Sequence, residues 1–123
     1  MNNKILFYAA AICTFVAGVL HLAIVPMFLI QISTDVTIFF ILSGLTQILW
    51  LIPVIKRWRN LWYYIGICGT TILILIWFIA VPGSGHQVSI LDMTIEIFQV
   101  AFIILCYIII TKRKNWLINQ EIY

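Results

Sequence analysis

Four uninterrupted apolar runs, each about the length that a helix needs to cross the hydrocarbon core of a bilayer, constrain this chain more than any other feature. A span takes about 20 mainly apolar residues at 1.5 Å rise per residue. The runs cover residues 5–25, 36–55, 61–81 and 90–111. Pro26 closes the first, Lys56-Arg57-Trp58-Arg59 the second, Pro82-Gly83-Ser84-Gly85 the third and Lys112-Arg113-Lys114 the fourth. Breakers and charges at each boundary are what membrane helices use. The expected fold is an all-α, integral membrane four-helix up-down bundle, with residues 1–123 forming one transmembrane domain.

Composition agrees with this reading. With 64% hydrophobic and 9% charged residues, and a mean hydropathy of +1.14, the chain has too little polar surface to cover a soluble core of its size. β-Branched residues such as Ile72, Ile74 and Ile108 to Ile110 are frequent, but barrel strands run roughly 10 residues with polar alternation. These runs are twice that length and apolar on every side, so helices are expected. The short start Met1-Asn2-Asn3-Lys4 precedes about 20 apolar residues without an Ala-x-Ala site, and the first span is expected to be retained rather than cleaved as a signal peptide. The segment from Met27 to Asp35 is too apolar for an ordinary loop. It either lies along the interface or extends the first helix past a kink at Pro26.

Lys and Arg concentrate in cytoplasmic loops of membrane proteins, and here all seven fall on one side. Lys4 precedes the first span; Lys56, Arg57 and Arg59 join the second and third; Lys112, Arg113 and Lys114 follow the fourth. Asp35, Asp92 and Glu96 belong to the opposite half. Both termini are therefore expected in the cytoplasm, with the chain in the cell membrane. Trp58, Trp62, Tyr63, Tyr64 and Trp116 flank the basic segments as interface anchors. A net charge of +3, confined to these turns, gives no reason to expect a nucleic-acid partner. The expected partners are the lipid bilayer and other membrane subunits.

Ionisable side chains inside a span cost about 3 kcal/mol each on insertion scales and mark candidate sites. His21 lies about 6 Å below Val25 and Glu96 about 9 Å below Ile90, so the two share a depth. Asp92 is one turn above Glu96, Gln99 is three residues below it, and Gln47 sits near the middle of the second span. Turned inward, His21, Gln47, Asp92, Glu96 and Gln99 would form a polar cluster in the outer half, with His86 in the loop above. The plainest role is a hydrogen-bonded core that fixes helix packing, His21 to Glu96 with the glutamines completing it. His21, Asp92 and Glu96 are also candidates for a metal or a proton relay, although the chain has two histidines and no His-x-x-x-His or Glu-x-x-His pair. The residues name no cofactor.

Cys13, Cys68 and Cys106 lie in three different spans without paired spacing; a Cu(I) thiolate site is one reading, small packing residues the other. The stretch Gly66-Ile67-Cys68-Gly69-Thr70-Thr71 lacks the lysine of a phosphate loop and is expected to admit a neighbouring helix. Ala9, Cys13 and Ala17 form a comparable small-residue stripe on the first span. No Ser-His-Asp set, nucleophile elbow, haem motif or dinucleotide fingerprint occurs, so no catalytic residue is assigned and no catalytic activity of its own is expected.

The segments His21-Leu22-Ala23-Ile24-Val25-Pro26, Phe39 through Trp50, and Glu96-Ile97-Phe98-Gln99 resemble small four-helix prokaryotic membrane proteins of unassigned function. In some of those an acidic residue and a second His follow the proline; here the positions are Met27 and Phe28. With Trp62-Tyr63-Tyr64-Ile65-Gly66 opening the third span, the chain is also similar to small membrane proteins of ammonia-oxidising archaea. That resemblance implies an accessory subunit beside a copper-dependent ammonia monooxygenase. Three roles follow as expectations: a non-catalytic accessory or assembly subunit of a larger membrane complex, a small proton, ion or solute transporter using the His/Glu cluster, or a metal-binding membrane redox protein. The first is favoured, because the segments outside the membrane are too short for a soluble activity.

Overall fold

Without water in the bilayer core, backbone N–H and C=O groups must find partners within the chain, and a helix satisfies them all locally. The computed structural model describes residues 3–28, 34–80 and 88–121, and within them the chain forms α1 (Asn3–Phe28), α2 (Thr34–Leu49), α3 (Leu51–Ile55), α4 (Asn60–Ala80) and α5 (Ile90–Glu121). With α2 and α3 counted as one rod, four helical segments are long and apolar enough to cross a membrane. The protein is a multi-pass, all-α membrane protein.

Three boundaries differ from the sequence expectation, each for a local reason. The first helix runs through Pro26 to Phe28, because a proline in the last turn sacrifices only one hydrogen bond. This favours extension of the helix for Met27 and Phe28, while residues 29–33 of the apolar connection lie outside the described residues. The second span is broken at Trp50 rather than continuous. Pro53 has no N–H to offer Leu49, and its ring crowds that carbonyl, so the helix breaks at Trp50, three residues before it, and restarts at Leu51. The fourth helix does not stop at Lys112-Arg113-Lys114 but continues to Glu121. Charge ends a membrane run, yet Lys and Arg are good helix formers. At 32 residues α5 is roughly 48 Å long, well beyond a hydrocarbon core of about 30 Å.

α1 is the centre of the bundle. It packs against α2, α3 and α5, whereas the main support of α4 is α5. Of the most apolar stretch of each helix, 44% is buried for α1 and 22% for α4, so α4 is the most peripheral rod. The neighbours run α2, α1, α5, α4, and the ring does not close by helix packing between α4 and α2. The tightest crossing joins α1 to α2 at two glycines. A Cβ added to Gly18 would lie 2.9 Å from the Gly44 carbonyl oxygen, and one added to Gly44 would lie 2.8 Å from the Gly18 carbonyl oxygen. Of the small-residue stripe Ala9, Cys13 and Ala17, Ala17 is fully buried and Cys13 packs against the core; close approach at this crossing rests on Gly18 and Gly44. Beside it the Thr14 hydroxyl donates to the Gln47 carbonyl at 2.9 Å.

Two apolar clusters fill the interior. One, near the basic turn, gathers Leu6, Phe7, Val54, Tyr63, Phe102 and Ile109 among others. The other, at the opposite end, holds Ile24, Val36, Phe40, Trp77 and Ile95. A polar band separates them.

At the basic end, the turn after α3 is closed by Trp58 N–H donating to Pro53 O at 3.0 Å and Arg57 N–H to Val54 O at 3.2 Å. This is the Schellman arrangement, and Arg57 occupies its left-handed position with φ of 52°. Arg113 clamps the turn from α5: Nη1 donates to Trp58 O at 2.7 Å and to Asn60 Oδ1 at 3.2 Å, and Nη2 donates to Arg57 O at 3.0 Å. Its guanidinium also lies 5.1 Å from the ring centroids of both Phe7 and Tyr63. Arg113→Ala is expected to cost about 2 kcal/mol, the scale of one charged hydrogen-bond set at a partly exposed site. Arg113→Lys should recover little of it, since an ammonium lacks the planar fork; thermal unfolding in detergent measures both.

Candidate functional site: a buried polar band and an open cleft

The five predicted cluster residues are all buried: His21 at 1% exposure, Gln47 at 5%, Asp92 at 1%, Glu96 at 8% and Gln99 at 1%. His21 and Asp92 have local partners of their own. The His21 Nδ1 sits 2.8 Å from the carbonyl of Ala17, one turn back on α1. The Phe40 ring lies 5.8 Å from the imidazole, and Gln47 and Asp92 are polar neighbours of it. The expected bond from His21 to Glu96 is replaced by these contacts. An i−4 carbonyl captures one ring nitrogen, and the Gln47 side chain reaches the ring from across the glycine crossing.

Asp92 belongs to a helix cap. Ser89 N–H and Ser89 Oγ each donate to Asp92 Oδ2 at 2.8 Å, and Asp92 N–H donates back to Ser89 Oγ at 3.3 Å. This is a capping box with Asp in place of the usual Glu, placing a carboxylate where the first-turn N–H groups converge. The Ser-x-x-Asp spacing was visible in the sequence and explains the residue better than a ligand role. Ser89→Ala should cost about 1 kcal/mol. It should also accelerate hydrogen exchange in the first turn of α5, while leaving the α1–α2 crossing protected.

Glu96 and Gln99 have no such satisfaction. Glu96 Oε2 and both amide atoms of Gln99 are buried without a hydrogen-bond partner, and the nearest charge to Glu96 is that of Asp92. Among the described residues, no three His, Cys, Asp or Glu side chains converge as ligands for a metal ion. His86 lies outside the described residues. The cysteines divide: Cys106 is buried, Cys13 half-buried and Cys68 exposed on α4, so a shared three-thiolate site does not form among them.

The structure adds a feature that the sequence reading did not identify. Between α2 and α4 lies a cavity of about 400 Å³ whose walls include Ser43, Gln47, Trp50, Gly66, Gly69 and Thr70, with Thr14 and Phe102 at its floor. Trp50 brings α2 against α4: a Cβ on Gly66 would lie 2.6 Å from the Trp50 Nε1, and the Trp50 and Trp62 rings are 5.7 Å apart. Gly66 therefore admits an indole rather than a helix backbone. Gly69 meets nothing within 4 Å. Ser43, Gln47 and Trp50 line the cleft, and their Oγ, Oε1 and Nε1 atoms are buried without hydrogen-bond partners. Groups of that kind, in a region that lipid chains cannot hydrogen-bond, call for a polar partner from outside the chain.

The signals for the cleft were small polar residues at helical spacing, Ser43 with Gln47 and Gly66 with Thr70. On sequence alone these match ordinary packing positions, because which faces meet is a tertiary property. Compared with protein-family models, with curated proteins and with solved structures, the chain matches none.

Proposed function

We propose that this protein is a non-catalytic accessory or assembly subunit of a larger complex in the cell membrane, seated with both termini and the basic turn in the cytoplasm. The single observation that carries the reading is the cleft between α2 and α4. Its lining mixes large apolar side chains such as Phe39, Leu42 and Leu73 with small residues, and at Gly69, where nothing lies within 4 Å of an added Cβ, a small residue lets another helix approach closely. Ser43 Oγ, Gln47 Oε1 and Trp50 Nε1 on its lining residues are buried with no hydrogen-bond partner within the chain, a deficit that a partner helix carrying a polar side chain would relieve as the cleft side chains adjust to it. The weak burial of α4 within the chain supports the same surface. Orientation rests on the seven Lys and Arg at one end, under the positive-inside tendency. Among membrane complexes, the sequence resemblance favours a copper-dependent monooxygenase of the ammonia-oxidising type.

A photoreactive residue tests this. Placed at Gly69 in the cleft, it should crosslink in the native membrane to one defined membrane chain, and placed at Ile79, which is 81% exposed and outside the cleft, it should not. Equal crosslinking from both positions, or lipid adducts alone from Gly69, would remove the reading.

A second reading, a small proton, ion or solute transporter, is favoured by one observation: the unpartnered Glu96 Oε2 and Gln99 amide in the bundle interior. Buried ionisable groups of this sort mark translocation paths in many membrane proteins. Flux in proteoliposomes that disappears with Glu96→Gln would select this reading over the first.

A further inference from the structure

The basic end holds a second cavity, of about 240 Å³, with a mixed lining. Leu6, Phe7 and Ile109 form its apolar part, and Arg57, Lys112 and Arg113 its charged part, with Trp116 at the edge. No carboxylate lines it among the described residues. The three Asp and Glu residues of the opposite half, Asp35, Asp92 and Glu96, are separated from it by the length of the spans.

Arg57 shows the most unusual geometry. It stands at the left-handed position of a Schellman turn, φ 52°, where glycine fits without cost and a side chain does not. The strained backbone sets its guanidinium 4.8 Å from the Phe7 ring centroid, against the cavity wall. No hydrogen bond to Arg57 side-chain nitrogens occurs among the described residues, so its N–H donors are available. Arg113 commits three of its five N–H donors to Trp58 O, Asn60 Oδ1 and Arg57 O. That fixes its position and leaves two donors. Two guanidiniums and an ammonium above an apolar floor, at a level marked by Trp58, Trp62 and Trp116, match a phosphodiester with the start of its acyl chains below.

We propose that the cavity formed by Arg57, Lys112, Arg113 and Phe7 binds the phosphate of an anionic phospholipid. Arg57 supplies the forked contact to the phosphate oxygens, Lys112 a diffuse positive charge, and Leu6, Phe7 and Ile109 the surface for the glycerol and the first methylenes. Basic pockets between transmembrane helices recognise lipid headgroups by this chemistry. The site explains why an arginine rather than a glycine occupies the strained turn.

The test uses the full-length protein in a neutral maltoside detergent, read by native mass spectrometry after adding dioleoylphosphatidylglycerol, dioleoylphosphatidylcholine or inorganic phosphate. The wild type should retain phosphatidylglycerol over phosphatidylcholine by about tenfold, and inorganic phosphate should not displace it. Arg57→Gly relieves the left-handed strain, so its thermal midpoint in detergent should equal or exceed that of the wild type. Its retention of phosphatidylglycerol should nevertheless fall about fivefold, which is roughly 1 kcal/mol at 1.4 kcal/mol per tenfold. Lys112→Gln, on the exposed end of α5, should fall by a smaller factor and gives a second arm if Arg57→Gly unfolds. Equal retention of the two lipids, or variants that both bind like the wild type, overturns the proposal. Displacement of the lipid by inorganic phosphate alone reassigns the cavity to a soluble anion and overturns the lipid assignment.

Discussion

Gly44→Val should separate α1 from α2 and destabilise the folded bundle by about 3 kcal/mol or more, at the upper end of what overpacking costs. A Cβ at this position meets the Gly18 carbonyl oxygen at 2.8 Å and Leu22 Cγ at 2.8 Å. The first of these is backbone, which cannot rotate away, and the second belongs to the helix that would have to move. Gly18→Val should do the same, because its Cβ would lie 2.8 Å from Ile48 Cγ1 and 2.9 Å from the Gly44 oxygen. The loss spreads beyond sterics, since the Thr14 to Gln47 bond and the Gln47 contact to His21 both depend on this crossing. Gly69→Ala is the control, as nothing lies within 4 Å of its added Cβ. It should be neutral or stabilising by up to about 1 kcal/mol from helix propensity. Thermal unfolding in detergent, or unfolding by added sodium dodecyl sulfate, ranks the three variants. A Gly44→Val protein as stable as the wild type contradicts the packing described for α1 and α2.

Gly69→Phe is expected to leave the isolated chain folded and to abolish its assembly. The side chain would enter the open cleft between α2 and α4 rather than a packed interior, so the cost to the chain itself should stay within about 0.5 kcal/mol, as for substitutions away from packed features. A phenyl ring in the space where the partner helix is proposed to sit should weaken association by more than about tenfold, or roughly 1.4 kcal/mol, because helices in lipid associate through close packing of small residues. Ile79→Phe, on an exposed part of α4, should change neither quantity. Recovery of the partner from detergent extracts of cells expressing each variant gives the comparison. Full recovery with Gly69→Phe would show that the cleft is not where the partner sits.

How much of this was legible in the sequence differs between levels. The four spans were, since a run of about 20 apolar residues has few other solutions. The burial of His21, Gln47, Asp92, Glu96 and Gln99 was also legible, because a polar group in a span gains most by turning inward. Their mutual contacts were not. Sequence spacing aligns Asp92 with Glu96 on one helix face but is blind to Ser89 taking the Asp92 carboxylate as a cap, and to the Ala17 carbonyl taking the His21 ring. The break at Trp50 was present in the sequence as Pro53, three residues on, and was masked by the apolar run around it. The extension of α5 past Lys114 was hidden for the opposite reason: a charge cluster ends the apolar signal without ending the helix. The unclosed α2–α4 face was beyond sequence reasoning. It depends on the two glycines that draw α1 and α2 together while α4 stays with α5.

A bundle that paired every buried donor and acceptor would stand alone in lipid. Ser43 Oγ, Gln47 Oε1 and Trp50 Nε1, on residues that line the cleft, are left without partners, and the proposal is that a neighbouring transmembrane helix completes this surface.

The most direct test is the mass of the chain extracted from its own membrane under native conditions. The 14.2 kDa chain is expected in a stoichiometric assembly with at least one different membrane protein. Recovery of the chain as a monomer, or as a multiple of its own mass alone, contradicts it.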